Sequence, residues 1–489
     1  MKIKLLFALL VITTISNAQT QIGATIFGTG QHEVGGIISL SGDGTTIAVS
    51  NYWIGFMTNP GKVSIYRNIS GNYIPLGNSI DKEGANDGNE STALSADGNT
   101  IAIGAVFNSG NGLYSGHVRV YKYVSGNWVK IGNDIDGNQG DLSGVSVSLS
   151  SDGSILAVSA HQNNNSNGQA SGCVRIYKNI SGNWTKIGSD IIGKYQHEQS
   201  GTKISLSSMG NIVAISTKYN KKNGTTLFSG QVRIYENISG TWTQIGNDID
   251  GDELSDENGL STSLSADGSI VAIGAPRHSE NGFESGLVRV FKNISGNWVQ
   301  VGNNIYGKTA DEQTGSSVSL SANGDIIAIG VPYKDGGMSN GKGAARIYKN
   351  ISGNWVQIGN DFDGTATSDV FGISVSLSSS GNIIAIGAST HTKMNFSGYI
   401  KVFDISNLLS SDEFVLENFN IYPNPTTDIL NIELKENLTL EKVLIYNTSG
   451  QLVKETSEKT INVSGFAKGI YNVQVITNQG KATKKVIVK

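Results

Sequence analysis

One short line of sequence returns seven times. Ser39-Leu40-Ser41, Ala93-Leu94-Ser95, Ser148-Leu149-Ser150 and their later copies place leucines at 40, 94, 149, 206, 264, 320 and 377, spaced 54 to 58 residues apart. A second line recurs seven times, from Val63-Ser64-Ile65-Tyr66 and Val118-Arg119-Val120-Tyr121 to Ile400-Lys401-Val402-Phe403. A third carries Tyr73, Trp128, Trp184, Trp242, Trp298 and Trp355, one copy short of seven. A fixed period of this length makes the chain an array of like units, none of which can bury its apolar surface alone. Each unit reads as four strands: one ending at Ser-Leu-Ser, one like Ile-Ala-Ile-Gly-Ala, one like Val-Arg-Ile-Tyr, and one starting at Trp. Asp-Gly between the first two and Asn-Ile-Ser-Gly-Asn between the last two are tight hairpin turns. The second strands are apolar on both faces, as in sheets covered on both sides. The pattern predicts an all-β, seven-bladed β-propeller over residues 19–405.

The missing seventh copy of the fourth strand bears on closure. After Phe403 there is no Trp, yet Gln21-Ile22-Gly23-Ala24-Thr25-Ile26 matches Gln357-Ile358-Gly359-Asn360-Asp361-Phe362. The N-terminal strand is therefore expected to complete the seventh blade, which would otherwise end in an unpaired edge. An open solenoid of seven stacked sheets is the alternative.

The two ends differ from the array. Lys2 and Lys4, an apolar run from Leu5 to about Ile12 and a small residue at Ala18 make residues 1–18 a signal peptide, with cleavage between Ala18 and Gln19. No later apolar run is long enough to span a bilayer. From Asn418 onward there are nine lysines against six acids, which leaves residues 19–417 at about −9 although the whole chain is only −4. Short alternating runs such as Ile429-Leu430-Asn431-Ile432-Glu433-Leu434 predict a small Ig-like β-sandwich over residues 415–489, after a linker at 406–414. Tyr422-Pro423-Asn424-Pro425, Tyr446 to Gly450, Gly469-Ile470-Tyr471 and the tail Lys484-Lys485-Val486-Ile487-Val488-Lys489 closely resemble a type IX secretion C-terminal sorting domain of type A. That resemblance implies a Bacteroidetes-type bacterium, the secretion machinery as partner, passage through the periplasm, and a product released or held at the outer-membrane surface. The repeats resemble FG-GAP repeats of integrin α-subunit propellers, through Phe371-Gly372, Gly387-Ala388 and Gly274-Ala275-Pro276.

Chemistry is sparse. One cysteine among 489 residues rules out a disulfide framework. A net charge of −4 gives no footprint for nucleic acid. Integrin-type propellers often hold calcium between strands one and two. Here Asp43, Asp97, Asp152 and Asp267 stand alone before their glycines and read as turn formers. The acidic stretch holding Asp250, Asp252, Asp256 and Glu257 could share a cation, calcium included, against the simpler reading of a solvated loop. No other cofactor is expected. Cys173 shares its repeat position with Lys62, His117, Gln231, Leu287, Ala344 and Tyr399, which reads as a permissive strand-entry position rather than a catalytic one. Arg119, Arg175, Arg233, Arg289 and Arg346 read as inter-blade hydrogen-bond donors. The Asn-Ile-Ser sequences at Asn68, Asn179, Asn237, Asn293 and Asn350 read as turns.

Turns two–three and four–one are long and share one end of the ring, where function concentrates on variable loops. The ligand-face candidates are Tyr52, Trp53, Phe107, Tyr114, His161, Tyr219, His278, Tyr333 and His391. The chain is read as a secreted, monomeric, non-enzymatic propeller that binds glycan or protein. The alternatives are a polysaccharide lyase or glycosidase and a structural surface-layer component.

Overall fold

A computed structural model describes residues 19–28, 35–50, 62–84, 87–222, 225–227, 229–389, 398–409, 415–416, 418–435, 438–477 and 480–489. Upstream of residue 405 the described residues form six five-stranded sheets and one of four strands, all antiparallel, with a separate two-stranded ribbon at Asn220–Lys222 and Thr225–Leu227. The second sheet is typical. Asn89–Leu94, Thr100–Ala105, His117–Val124 and Asn127–Lys130 follow one another as a meander. The fourth strand is interrupted: a second piece, Ile135–Asp136, returns to pair with His117–Val124. Only in the sixth sheet does the fourth strand run unbroken, Asn354–Asp363.

The N-terminal segment behaves as an interrupted fourth strand of the last sheet. Thr20 and Gln21 pair with Asp404 and Phe403, and Ile26 and Phe27 pair with Ile400 and Tyr399.

Two sets of hydrogen bonds link consecutive sheets. Backbone N–H groups of Gly42, Ala96, Ser151, Ser208, Ala266, Ala322 and Ser379 each donate to the carbonyl of the next residue in that series, at 2.7 to 2.9 Å, and Ser379 donates back to Gly42. Beside them, the serine one place before each recurrent leucine accepts the N–H of the leucine in the next sheet. Ser39 takes Leu94 (2.9 Å), Ser148 takes Leu206 (3.0 Å), and Ser205, Ser263 and Ser319 continue the pattern. Ser376 takes Leu40 of the first sheet. At the remaining junction Ala93 stands where the others have serine. The seven leucines border a single cavity of about 170 Å³.

Close approach explains the Gly of the Gly-Ala lines. A Cβ on Gly387 would sit 2.2 Å from the carbonyl oxygen of Gly35, and one on Gly274 would sit 2.1 Å from that of Gly315. Tryptophans clamp the rims: Trp128, Trp184, Trp242, Trp298 and Trp355 each donate the indole N–H to a carbonyl of the preceding sheet, at Leu76, Ile131, Ile187, Ile245 and Val301. The last sheet has no Trp. There Leu408, buried in the short helix Ser406–Leu409, packs over Gly359 as the tryptophans pack over the equivalent glycines. The first four residues of the stretch read as a linker thus belong to the packing of the array.

The C-terminal residues form two sheets. Phe419–Tyr422, Ile429–Leu434 and Thr460–Asn462 make one; Leu440–Asn447, Leu452–Thr456, Gly469–Thr477 and Gly480–Val488 make the other. Phe419, Leu430, Ile432, Val443, Ile445, Val473 and Val475 are buried in one apolar cluster with their neighbours.

Candidate functional site

The recurrent arginines are more than hydrogen-bond donors: each makes an ion pair, and three of the five bridge two carboxylates. Arg346, fully buried, places both Nη atoms 3.0 Å from Glu312 and its Nε 3.0 Å from Asp361. Arg175 bridges Asp141 and Asp190, and Arg233 bridges Glu198 and Asp248. Arg119 meets Glu83 at 3.0 Å and Arg289 meets Asp252 at 2.8 Å. Burial alone would raise the Asp361 carboxyl, but the charge of Arg346 with hydrogen bonds from Lys334 and Gln357 holds it well below the usual carboxylate range. Glu312 is likewise lowered, its burial outweighed by Arg346. Carboxylates held ionised in this way are poor proton donors near neutral pH.

The Asp-Gly aspartates close their own turns. Asp43 accepts from the Ser41 hydroxyl (2.6 Å) and the Thr45 N–H (2.9 Å), and Asp97, Asp152 and Asp267 repeat the arrangement. Burial opposes ionisation of Asp43, yet these bonds and Arg67 bring its pKa below the ordinary value. The Asn-Ile-Ser asparagines act similarly, Asn68 accepting the N–H of Gly71 and Asn179 that of Gly182.

The four acidic candidates are drawn to different partners. Asp250 accepts from Gln231, Asp252 pairs with Arg289, and Glu257 lies 3.3 Å from Arg277. Asp256 is buried; one oxygen accepts the N–H groups of Asp252 and Glu253, and the other lies 3.1 Å from His278 Nδ1.

Among the ligand-face candidates, Tyr52, Trp53 and His391 lie outside the described residues, as does Ala18; Gln19 is the first residue described. Phe107 (38% exposed) and Tyr114 (46%) form an edge-on pair with centroids 6.1 Å apart. His161 is largely enclosed, its pKa pushed down to about 4 by burial and by Lys218. Tyr219 is half-buried beside Lys218. His278 is buried against Asp256 and stacks on Tyr306. Tyr333 is half-buried, and burial, with Glu284, raises its phenol. The position shared by His117, Cys173, Gln231, Leu287, Ala344 and Tyr399 is buried in all six, so its diversity reflects different local partners rather than solvent. Burial pushes the Cys173 thiol up to about 12, which leaves it protonated and unreactive.

Two exposed apolar tips escaped the sequence reading, Leu113 (58%) and Phe283 (66%). A signal for them exists: both follow an Asn-Gly pair at the same offset. Asn111 donates to the carbonyl of Gly137 and Asn281 to that of Gly307, which staples each long loop to the next connection. At the same end a cavity of about 220 Å³ is lined by residues from all seven sheets, including Ile38, Thr92, Val147, Lys203, Thr262, Val318 and Val375. Among the described residues its lining holds hydroxyls, aliphatic groups and one lysine, with no carboxylate, imidazole or phenol.

In the C-terminal sandwich, Asn424 grips the last strand, accepting the N–H of Ile487 (3.0 Å) and donating to the carbonyl of Lys485 (2.9 Å). Tyr422 is half exposed beside Pro423 and Pro425. Tyr471 is buried and donates to the carbonyl of Ala467, while Gly450 takes a positive φ of 81° at a turn and Gly469 opens the strand that follows.

Fold and tail together define an all-β protein with an export domain. Residues 420–489 match the family described as "Secretion system C-terminal sorting domain". This segment is a sorting domain of that kind; it implies engagement of the type IX secretion machinery and export to the cell surface or beyond. An ulvan lyase of Nonlabens ulvanivorans is 36% identical over 88 residues, which is 17% of this chain and 16% of that protein. The crystal structure of RRP9 WD40 repeats aligns with a TM-score of 0.48 at 12% identity, over 78% of this chain and 98% of that one. Among the described residues no helix is long and apolar enough to cross a membrane.

Proposed function

We propose that the chain is an exported recognition protein: a seven-bladed β-propeller spanning residues 19–405, closed by its N-terminal strand and carried out by the sorting domain at 415–489, that binds glycan or surface protein through its long-loop end. The propeller reading rests on the cycle of backbone hydrogen bonds that leaves Gly42 and returns to it, and the FG-GAP likeness adds the Gly-Ala approach at Gly387 and Gly35. The recognition reading rests on the long-loop end itself. Its loops are stapled in place, present Phe107, Tyr114, Leu113 and Phe283 outward, and surround a mouth whose lining holds no carboxylate, imidazole or phenol among the described residues. Exposed aromatic and apolar groups on a rigid frame suit binding to sugar rings or protein. The route runs through the periplasm after removal of residues 1–18.

A glycan array with the mature chain tests this. Binding that falls at least about tenfold in Phe107→Ala or Phe283→Ala, without new reducing or unsaturated ends, supports recognition. Release of such ends from the same polysaccharides would replace it with the second reading, a polysaccharide-degrading enzyme. The partial likeness to an ulvan lyase favours that alternative. Deleting residues 415–489 should retain the protein in the periplasm; a truncated protein still found at the surface would overturn the export route.

A further inference from the structure

We infer that Glu253, His278 and Glu280 form a divalent-metal site of the zinc type at the long-loop end of the junction between the fourth and fifth sheets. A ring nitrogen of His278 and carboxylate oxygens of Glu253 and Glu280 lie within 4.8 Å of one another. His278 is 4% exposed and both glutamates face solvent. Asp256 supplies the element that turns this proximity into a site. One of its oxygens accepts two backbone N–H groups and the other lies 3.1 Å from His278 Nδ1. A carboxylate accepts, so Nδ1 donates to Asp256, which fixes the ring and makes Nε2 the nitrogen open to a metal.

The repeats provide an internal control. In the second and third sheets the residue at the place of His278 is Asn108 or Asn163, each donating to the equivalent acid, Asp87 (3.2 Å) or Asp141 (2.8 Å). Asparagine therefore suffices to staple the loop; histidine adds a second nitrogen that the staple does not use. Two places further on, Gly110 stands where Glu280 does here. Of the three repeats compared, the fifth sheet alone places a histidine at this position.

Both arms are held from behind. The Glu253 N–H is fixed by Asp256, and Asn281, next to Glu280, donates to the Gly307 carbonyl at 2.8 Å. The nearby Arg277 is engaged by Glu257 and Glu284, and Arg289 by Asp252, so the charge of Glu253 and Glu280 remains for a cation. The other histidine–carboxylate trio, Glu83, His117 and Asp134, differs here: Arg119 lies 3.0 Å from Glu83 and Lys130 2.8 Å from Asp134. Ligands about 2.1 Å from a tetrahedral ion stand roughly 3.4 Å apart, so the exposed glutamates close by an ångström or so on binding. One nitrogen and two oxygens with a fourth position open to water suit zinc; calcium asks for six to eight oxygens.

The test uses the whole mature chain, stripped with chelator and titrated calorimetrically with zinc, with cobalt absorption as a second readout. One zinc per chain and a zinc-dependent rise in unfolding temperature are expected. His278→Asn reproduces the asparagine staple of Asn108 and Asn163, so it should fold while losing at least about tenfold in affinity. Glu253→Gln and Glu280→Gln should lose comparably. Unchanged affinity in His278→Asn, or no uptake by the stripped wild type at millimolar zinc, overturns the site.

Discussion

The hydroxyl of Ser376 accepts the backbone N–H of Leu40 at 3.1 Å, tying the last sheet of the array to the first across 336 residues of chain. The same bond recurs at five other junctions and is missing where Ala93 replaces the serine. A long-range bond and a local repeat motif are here the same interaction.

Ser376→Ala should therefore be mild, costing about 0.5–1.5 kcal/mol, since it converts this junction to the form already present at Ala93. Deleting residues 19–28 removes both strand pieces paired with Tyr399–Asp404 and should cost far more. Denaturant titrations of the two variants compare them; a deletion no worse than the serine variant would refute closure by the N-terminal strand.

Arg346 and its two carboxylates make acid sensitivity specific. The Asp361 pKa is depressed in the folded state, so its contribution is present above the unfolded value of about 3.9 and is lost as pH falls through the folded value. Stability should drop below about pH 4, and Asp361→Asn should flatten that slope. Arg346→Ala, which leaves Glu312 buried without its cation, should cost roughly 3–5 kcal/mol at neutral pH.

His161 acts at a higher pH. It stays neutral in the folded state down to about 4, whereas the unfolded side chain protonates near 6.5. Above about 6.5 neither state is charged and there is no effect. Between about 6.5 and 4 the unfolded state binds the extra proton, so native stability falls by roughly 3 kcal/mol and then levels. His161→Asn should remove that part of the pH dependence; identical pH profiles for variant and wild type would sink the assignment.

Leu408 supplies a fourth case. It packs over Gly359 where the other junctions use tryptophan, so Leu408→Ala should cost about 2–5 kcal/mol. A fragment ending at 409 should unfold at higher denaturant than one ending at 405. Equal midpoints would show that the array ends at 405.

Much of the array was legible because its signals are local and periodic. The Ser-x-Asp-Gly turns at Asp43 and Asp97 close within a few residues, and strand alternation needs only neighbours. The candidate site was far less legible. His278 drew attention as a loop histidine, but Glu253 and Glu280 belong to two connections that meet only when adjacent sheets pack. The acids that face the recurrent arginines from the preceding connection lie 34 to 37 residues upstream, an interval that shifts with loop length, whereas Asp190, Asp248 and Asp361 follow Arg175, Arg233 and Arg346 at a constant 15 residues, a spacing the sequence did carry.

Period, turn chemistry and hydrophobic alternation, all short-range properties of the chain, thus determined by themselves that the protein is an array of four-stranded units with a sorting tail. Tertiary structure alone decided which groups end as partners: Leu408 in a tryptophan's place, Arg346 between Glu312 and Asp361, and Asp256 behind His278. The physical reason is that a buried charge or an edge strand takes whatever complement packing brings within about 3 Å, and sequence distance does not enter that choice.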